Sequence, residues 1–489
     1  MRAKRKQQML QFVAGLMCLP LLAQAQNDFE AFRRQQAQGV EQIKNDFSEY
    51  KEQQDREFAG FLKNQWGEFK TSAGKSRIKE PKPQQVPVAP SPDKAIAKPV
   101  VLAPAPATPP PLPPQAKPVT VAGDELDLVF YGNSVKLTFD PQWKSYRLKG
   151  GAKPETISNF WTQMSGSKYA ASIQAINATR SKLKLDDWAS VILWRDVARA
   201  LQPQRETEQN LLLWFFLIKS GYDVRLGYYG ADVFLFEAIT QPVYSTKYTR
   251  VFKRTYYAAL AKDHGNNIRA FYSYKSDYPL KLKPLDIQSA DTNFTKAELF
   301  ERKFVFNYEG KEIKFTVPYD RRLVEYMGSI PQSEFELYFD TDGSAAIRNS
   351  LLPALKKYTA KMGEEEAINF LLAFVQKAFA YKTDKEQFGY EKYFFVEESL
   401  YFPYNDCEDR AVIFSWLVRE LLGVKVVGLL YPNHMTTAVE LKGKHKGYVT
   451  IEHEGKQFAI ADPTYIGAAL GMAMPSYAKY KPKRVVDIK

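Results

Sequence analysis

The strongest constraint on the fold is an internal repeat, because a chain that repeats a long pattern builds one unit twice. Five blocks recur in the same order, and each pairs strand patterns with strand patterns or helical stretches with helical stretches. The pairs are residues 131–139 with 309–317, 188–201 with 366–379, 206–219 with 406–419, 227–236 with 428–437 and 285–287 with 486–488. We therefore predict two domains of similar design, over residues 124–298 and 299–489.

An insertion distinguishes the two copies. The offset between them grows just before the third block, so the extra residues belong to the second copy. Such a loop forms either a cleft wall or local packing over the next helix, and the sequence leaves both open. The stretch is rich in aromatic residues, namely Phe388, Tyr390, Tyr393, Phe394, Phe395, Tyr401, Phe402 and Tyr404.

Three segments precede the repeat. Residues 1–25 join a basic start to an apolar run and an Ala-Gln-Ala pattern, which is typical of a secretory signal peptide. Residues 26–75 carry apolar side chains mostly three and four positions apart, which predicts an amphipathic or coiled-coil helix. Residues 76–123 are rich in proline, which predicts an extended linker. The apolar positions of the helical segment are Val40, Ile43, Phe47, Tyr50, Phe58, Phe61, Leu62, Trp66 and Phe69.

Export would leave a single thiol in the mature chain. The sequence has two cysteines, and Cys18 lies in the signal. A structural cysteine in an oxidising compartment normally has a disulfide partner, so an unpaired Cys407 suggests a chemical role. We predict a periplasmic or extracellular protein without a transmembrane segment, since the apolar run 211–218 is too short to cross a bilayer.

Cys407, His434 and Asp462 are the candidate catalytic residues. Asn405 and Asp406 are good helix caps, so Cys407 is expected at a helix N-terminus. There the helix dipole and a nearby imidazolium would lower the pKa of the thiol. His434 would take and return the proton, and Asp462 would orient the imidazole ring.

Acyl transfer also needs hydrogen-bond donors aimed at the developing oxyanion. The backbone N–H of Cys407 is the first candidate. The side chains of Asn405 and Tyr404, two and three positions before the cysteine, are the weaker candidates. We predict no cofactor and no metal, since His264, His445 and His453 have no second ligand at metal-binding spacing.

Three segments in order resemble the core of the transglutaminase-like superfamily, relatives of papain-type cysteine proteases. They are Asp406–Arg410, the strand that follows His434, and Phe458–Thr464. The resemblance implies an α+β fold in which the cysteine helix packs on antiparallel strands bearing His and Asp. It also implies an acyl-thioester intermediate that is resolved by water in peptidases and amidases, or by an amine in transglutaminases.

The first copy lacks all three catalytic residue types. Thr207 aligns with Cys407, Val233 with His434, and Ala261 falls opposite Asp462. We therefore predict a degenerate first domain. It serves either structural support or substrate docking, and we favour support, because packing between domains is the commoner use of a large apolar surface.

Together these features predict an exported cysteine peptidase or amidase with tandem transglutaminase-like domains. The alternatives are an amine-accepting cross-linking transglutaminase and a non-catalytic peptide-binding scaffold. The expected partners are a protein or peptide substrate and, through residues 27–72, a second copy or an envelope partner. The formal net charge is +13, but no Lys/Arg cluster alternates with aromatics, so we predict no nucleic-acid binding.

Overall fold

The computed structural model describes residues 33, 35–36, 38–42, 45–46, 48–64, 66–74, 86–90, 119–277, 280–287, 294–440, 442–443 and 445–489. The predicted signal peptide and most of the proline-rich linker lie outside these residues. The fold mixes 39% helix with 26% strand, in agreement with the α+β prediction. Among the described residues no helix combines the length and apolarity needed to cross a bilayer.

The N-terminal part and the first copy alternate short strands with helices. In chain order the elements are α1 (described positions between 33 and 62), β1 (Trp66–Lys70), β2 (Val119–Ala122), β3 (Glu125–Phe130), β4 (Asn133–Thr138), α2 (Gln142–Ser145), α3 (Pro154–Ser165), α4 (Tyr169–Leu183), α5 (Asp187–Leu201), α6 (Glu206–Lys219), β5 (Val224–Tyr229), β6 (Asp232–Ala238), β7 (Tyr248–Val251), β8 (Arg254–Tyr257), a 3₁₀ turn (Lys262–Gly265) and β9 (Ala270–Tyr274).

The second copy begins with a long hairpin and ends in a sheet. Its elements are β10 (Leu299–Tyr308), β11 (Lys311–Asp320), α7 (Arg321–Met327), α8 (Phe335–Asp340), α9 (Ala345–Arg348), α10 (Leu351–Thr359), α11 (Glu364–Ala378), α12 (Asp384–Gln387), α13 (Val396–Tyr401), α14 (Cys407–Leu422), β12 (Val426–Tyr431), β13 (His434–Glu440), β14 (Thr450–His453), β15 (Lys456–Ala461) and β16 (Arg484–Asp487).

The two copies share one strand order. The first sheet runs β1-β9-β5-β6-β8-β7 and the second runs β16-β12-β13-β15-β14, with antiparallel neighbours throughout. In each copy a buried helix packs on an earlier helix and on the central strands: α6 on α5, β5 and β6, and α14 on α11, β12 and β13. The first sheet has one strand more than the second, the edge strand β1.

One of the five aligned blocks is wrong. Residues 486–488 overlap β16, which pairs with β12. The strand in the same position of the first sheet is β9, which pairs with β5. Leu285 instead forms an isolated parallel bridge with Ile239. The sequence match paired two short apolar segments that both follow a sheet, and such a pattern does not specify a strand partner.

The N-terminal segment also differs from the prediction. Trp66 and Phe69 lie in β1, an added edge strand of the first sheet, and are not part of the helix. Helix α1 instead forms a compact unit of its own with Pro154–Gly166. There the Phe58 ring packs edge-on against Trp161 at 4.6 Å, and the Ser158 hydroxyl donates to the Ala59 carbonyl at 2.7 Å.

The two copies pack together as parts of the second compact unit. The Trp188 indole donates to the Ser329 carbonyl at 3.1 Å, and the Tyr326 hydroxyl donates to Asp186 at 2.6 Å. Tyr326 also contacts the Tyr131 ring at 5.6 Å. Because Trp188, Tyr131 and Tyr326 are buried, the copies share a core across the predicted boundary at residues 298 and 299.

Candidate active site

Helix α14 places Cys407 at its first position. Asp406 is the N-cap, and its backbone N–H donates to the Asp409 side chain at 3.2 Å, so the chain turns into the helix there. The other Asp409 oxygen accepts the Phe394 N–H at 2.9 Å, which ties the aromatic insertion to the helix start. The helix ends at Gly423, whose φ of +64° favours glycine. The predicted helix start is therefore correct.

A tight hairpin places His434 beside this helix. Strands β12 and β13 pair Tyr431 with His434, so only Pro432 and Asn433 form the turn. Asn433 adopts a φ of +58°, which asparagine tolerates better than most residues. The Met435 N–H donates to the sulfur of Cys407, so the thiol lies against the first residues of β13.

His434 and Asp462 form a buried pair. Imidazole Nε2 lies 2.9 Å from Asp462 Oδ2, while Asp462 Oδ1 accepts the N–H groups of Thr464 at 2.9 Å and Tyr465 at 3.2 Å. The Tyr477 ring stacks on the imidazole at 5.1 Å. Within the described ranges His434 Nδ1 has no hydrogen-bond partner. Nδ1 is therefore the nitrogen left to exchange a proton with a neighbouring group.

Asn405 and Tyr404 differ as oxyanion candidates. Asn405 is fully buried, and neither its side-chain oxygen nor its nitrogen has a hydrogen-bond partner among the described residues. A buried unpaired amide is costly in a folded protein and marks a site where a ligand group can pair with it. Tyr404 is half-buried, and Lys382 Nζ lies 5.3 Å from its ring centroid. The environment of Asn405 is the better match to the predicted role.

The insertion packs mainly on itself and on neighbouring helices. Phe394 and Phe402 stack at 4.7 Å, and Phe395 contacts Tyr338 at 4.7 Å. Of the two predicted roles of this loop, local packing therefore accounts for most of its aromatic residues. Tyr390 is the exception, with 60% of its surface exposed.

Buried carboxylates surround the thiol, and the sequence did not indicate this. Cys407 is fully buried and donates to Glu408 at 3.0 Å. Burial, then Glu408 and Asp406, raise the pKa of the thiol well above its usual value. The expected lowering of this pKa by the helix N-terminus is therefore not found. Desolvation and adjacent acids outweigh the helix dipole in this buried arrangement.

The acidic side chains also approach one another. Ligand atoms of Asp406, Cys407 and Glu408 lie within 4.8 Å of one another, and so do those of Asp384, Glu391 and Glu408. Burial raises the pKa of Asp406 to about 6 and the pKa values of Asp384 and Glu408 well above their usual range. Oxygen atoms this close can share protons or hold a hard cation such as Ca²⁺.

The first copy carries other residue types at the positions aligned with Cys407, His434 and Asp462. Thr207, Val233 and Ala261 all line one cavity of about 200 Å³. The three aligned positions therefore meet in space, as the alignment predicted. The Thr207 hydroxyl donates to the Ala231 carbonyl at 3.2 Å, and neither Val233 nor Ala261 can act as a base.

Comparison of the chain with family models, curated proteins and solved structures gave no match. What the site can do chemically is therefore inferred from its residues. Cys407 offers a thiol at a helix start, and His434 offers an imidazole held by Asp462 through one nitrogen. This division of roles is the one that nucleophilic acyl transfer requires.

Proposed function

We propose that the protein is an exported cysteine peptidase or amidase with tandem transglutaminase-like domains, the first of them degenerate. The observation that carries this proposal is the buried His434–Asp462 pair, which engages Nε2 and leaves Nδ1 without a partner among the described residues, next to the strand residue that contacts Cys407. A structural histidine in a core normally has both ring nitrogens satisfied.

The proposed reaction follows from these roles. His434 Nδ1 takes the thiol proton, and the Cys407 sulfur attacks the amide carbonyl to form a tetrahedral intermediate. The Cys407 N–H and the Asn405 amide stabilise its oxyanion. The carbon–nitrogen bond breaks as His434 protonates the leaving amine, which leaves an acyl thioester. Water then attacks the thioester while His434 takes its proton, and the thiol is released with the acid product.

The raised pKa of the thiol supports general-base catalysis over a resident thiolate. Burial and two carboxylates favour the neutral thiol, so its proton leaves only when His434 accepts it. Because Cys407 has no exposed surface, a substrate reaches it after local opening.

A peptide substrate is supported by a segment of the proline-rich linker. Residues 86–90 are described next to the site, where the Ala89 N–H donates to the Ile466 carbonyl at 2.8 Å and the Ile466 N–H donates to the Pro87 carbonyl at 2.9 Å. Ala89 packs against a cluster that also contacts Tyr477, the residue stacked on His434. Main-chain pairing of this kind is a general way to hold an extended peptide.

Intact-mass spectrometry can test the proposal. The purified full chain would be incubated with envelope peptides and a primary-amine probe, and Cys407→Ser would serve as the matched control. We expect cleaved peptide products and a transient acyl adduct on Cys407, both absent from the control. Transfer of the acyl group to the probe would assign cross-linking instead, and no change in the mass of the protein, the peptides or the probe would refute an acyl-transfer function.

A further inference from the structure

The degenerate cleft of the first copy is an open cavity. Besides the pocket that contains Thr207, a second cavity of about 520 Å³ lies at the start of α6. Both are lined by Glu206, Asn210 and Ala261, so they form one continuous cleft. Its volume lies within the range of sites that bind small molecules or short peptides. The first copy therefore has an open cleft at the positions aligned with Cys407, His434 and Asp462.

The larger cavity is lined by three cationic side chains, Arg195, Arg199 and Lys262, and by one acidic side chain, Glu206. Arg195 and Arg199 are one turn apart on α5 and repel each other, and the nearby carboxylates of Asp196 and Glu237 offset part of the charge of Arg195. The Nε atom of Arg195 is buried and has no hydrogen-bond partner within the part of the chain that the structure describes. An unpaired buried guanidinium N–H points to a missing acceptor.

The N-terminus of α6 adds to this positive potential. Glu206 and Thr207 are the first two residues of a 14-residue helix, and its start lines the cleft. Backbone N–H groups in the first turn of a helix favour anions. The helix dipole and the three side chains therefore act in the same direction, against the carboxylates of Glu206 and Asp232.

We propose that this cleft binds carboxylate groups of an acidic peptide segment, so that the first copy docks the substrate in addition to packing against the second copy. The proposal rests on the proposed function, because the matching cleft of the second copy is the one assigned to peptide amides. A planar carboxylate fits the bidentate geometry of arginine. A cavity of about 520 Å³ also accommodates more than a single small anion.

Fluorescence anisotropy can measure this binding without turnover. The protein would be the full chain with Cys407→Ala, and the probe a (Glu-Gly)₃ peptide with an amidated C-terminus, labelled, like the comparison peptides, with an uncharged dye that has no carboxylate. The comparison peptides are (Gln-Gly)₃ amide and (Gln-Gly)₃ with a free C-terminus. Saturable binding of the first alone assigns side-chain carboxylates, and binding of the third alone assigns the terminal carboxylate. Either result supports a carboxylate site, whereas equal binding of all three refutes it.

Variants locate the site. Arg195→Gln with Arg199→Gln is expected to weaken binding by about tenfold or more, because charge-assisted hydrogen bonds are lost. Ala261→Phe should block the cleft without a change of charge. This variant still tests the site if the double arginine variant folds poorly. The matched control is Lys182→Gln, an exposed change on α4 outside the cleft.

Unchanged affinity in both the arginine and the Ala261→Phe variants would overturn the docking site. That outcome is independent of the proposed function, because wild-type acyl-adduct formation on Cys407 is measured separately. An inert Cys407 together with carboxylate binding would instead refute the enzyme and keep the docking site.

Discussion

Replacement of Asp462 by asparagine tests how the site prepares its base. In the structure Asp462 Oδ1 accepts two backbone N–H groups, from Thr464 and Tyr465, while Oδ2 faces His434 Nε2. An asparagine must keep its oxygen on the two amides, so its NH₂ group faces the imidazole. The ring nitrogen Nε2 then becomes the acceptor and Nδ1 carries the proton. His434 can no longer take a proton from Cys407.

The expected loss follows from the geometry. Two unit charges 2.9 Å apart interact by about 1.4 kcal/mol in bulk water and by about 6 kcal/mol at an effective dielectric constant of about 20. Because about 1.4 kcal/mol is a tenfold change in rate, loss of the carboxylate charge slows proton transfer by about tenfold to about 10⁴-fold. The side chains are 0% and 2% exposed, so we expect a loss of about 10³-fold or more.

The assay is the rate of iodoacetamide alkylation of Cys407 at pH 7, followed by mass spectrometry. Asp462→Asn should react at least as slowly as Asp462→Ala. The asparagine amide holds the imidazole in the tautomer with the proton on Nδ1, whereas alanine allows either tautomer. The matched control is Asp487→Asn, which alters an exposed carboxylate 2.8 Å from His453. This control should leave the alkylation rate of Cys407 unchanged. A rate for Asp462→Asn within about threefold of the wild-type rate would refute the reasoning.

Three further changes test the surroundings of the site and the core. Replacement of residues 86–90 by Gly-Ser should speed alkylation of Cys407, since the segment lies over the cluster that contacts Tyr477. The same replacement at residues 101–105 is the control. Equal alkylation rates in the two variants would contradict this prediction. Burial raises the pKa of Glu237 from 4.5 to about 8, so the folded state binds a proton that the unfolded chain has released. Stability therefore falls as the pH rises from about 4.5 to about 8, by up to about 5 kcal/mol, and Glu237→Gln should flatten this slope in urea unfolding; a wild-type slope in the variant would count against it. Residues 299–489 alone should aggregate or bind a hydrophobic dye, because removal of the first copy uncovers Tyr326, and a soluble, cooperative fragment would show that the copies are independent.

Local sequence signals predicted much of the candidate site. The caps at Asn405 and Asp406 fixed the start of α14, and the apolar blocks aligned α5 with α11 and α6 with α14. The alignment also predicted that Thr207, Val233 and Ala261 would meet. Caps, turns and periodic apolar patterns depend on residues within a few positions of one another, so they can be recognised in the sequence alone.

Contacts between distant residues could not be predicted in this way. The sequence by itself determined which residues begin helices and which stretches recur. Only the tertiary structure decided that Trp66–Lys70 is a strand paired with β9, that Pro154–Gly166 belongs with α1, and that Asp384 approaches Glu408. It also decided that the Cys407 thiol is buried among acids. Strand partners and buried charges depend on which distant surfaces pack together, and desolvation there exceeds the local effect of a helix dipole.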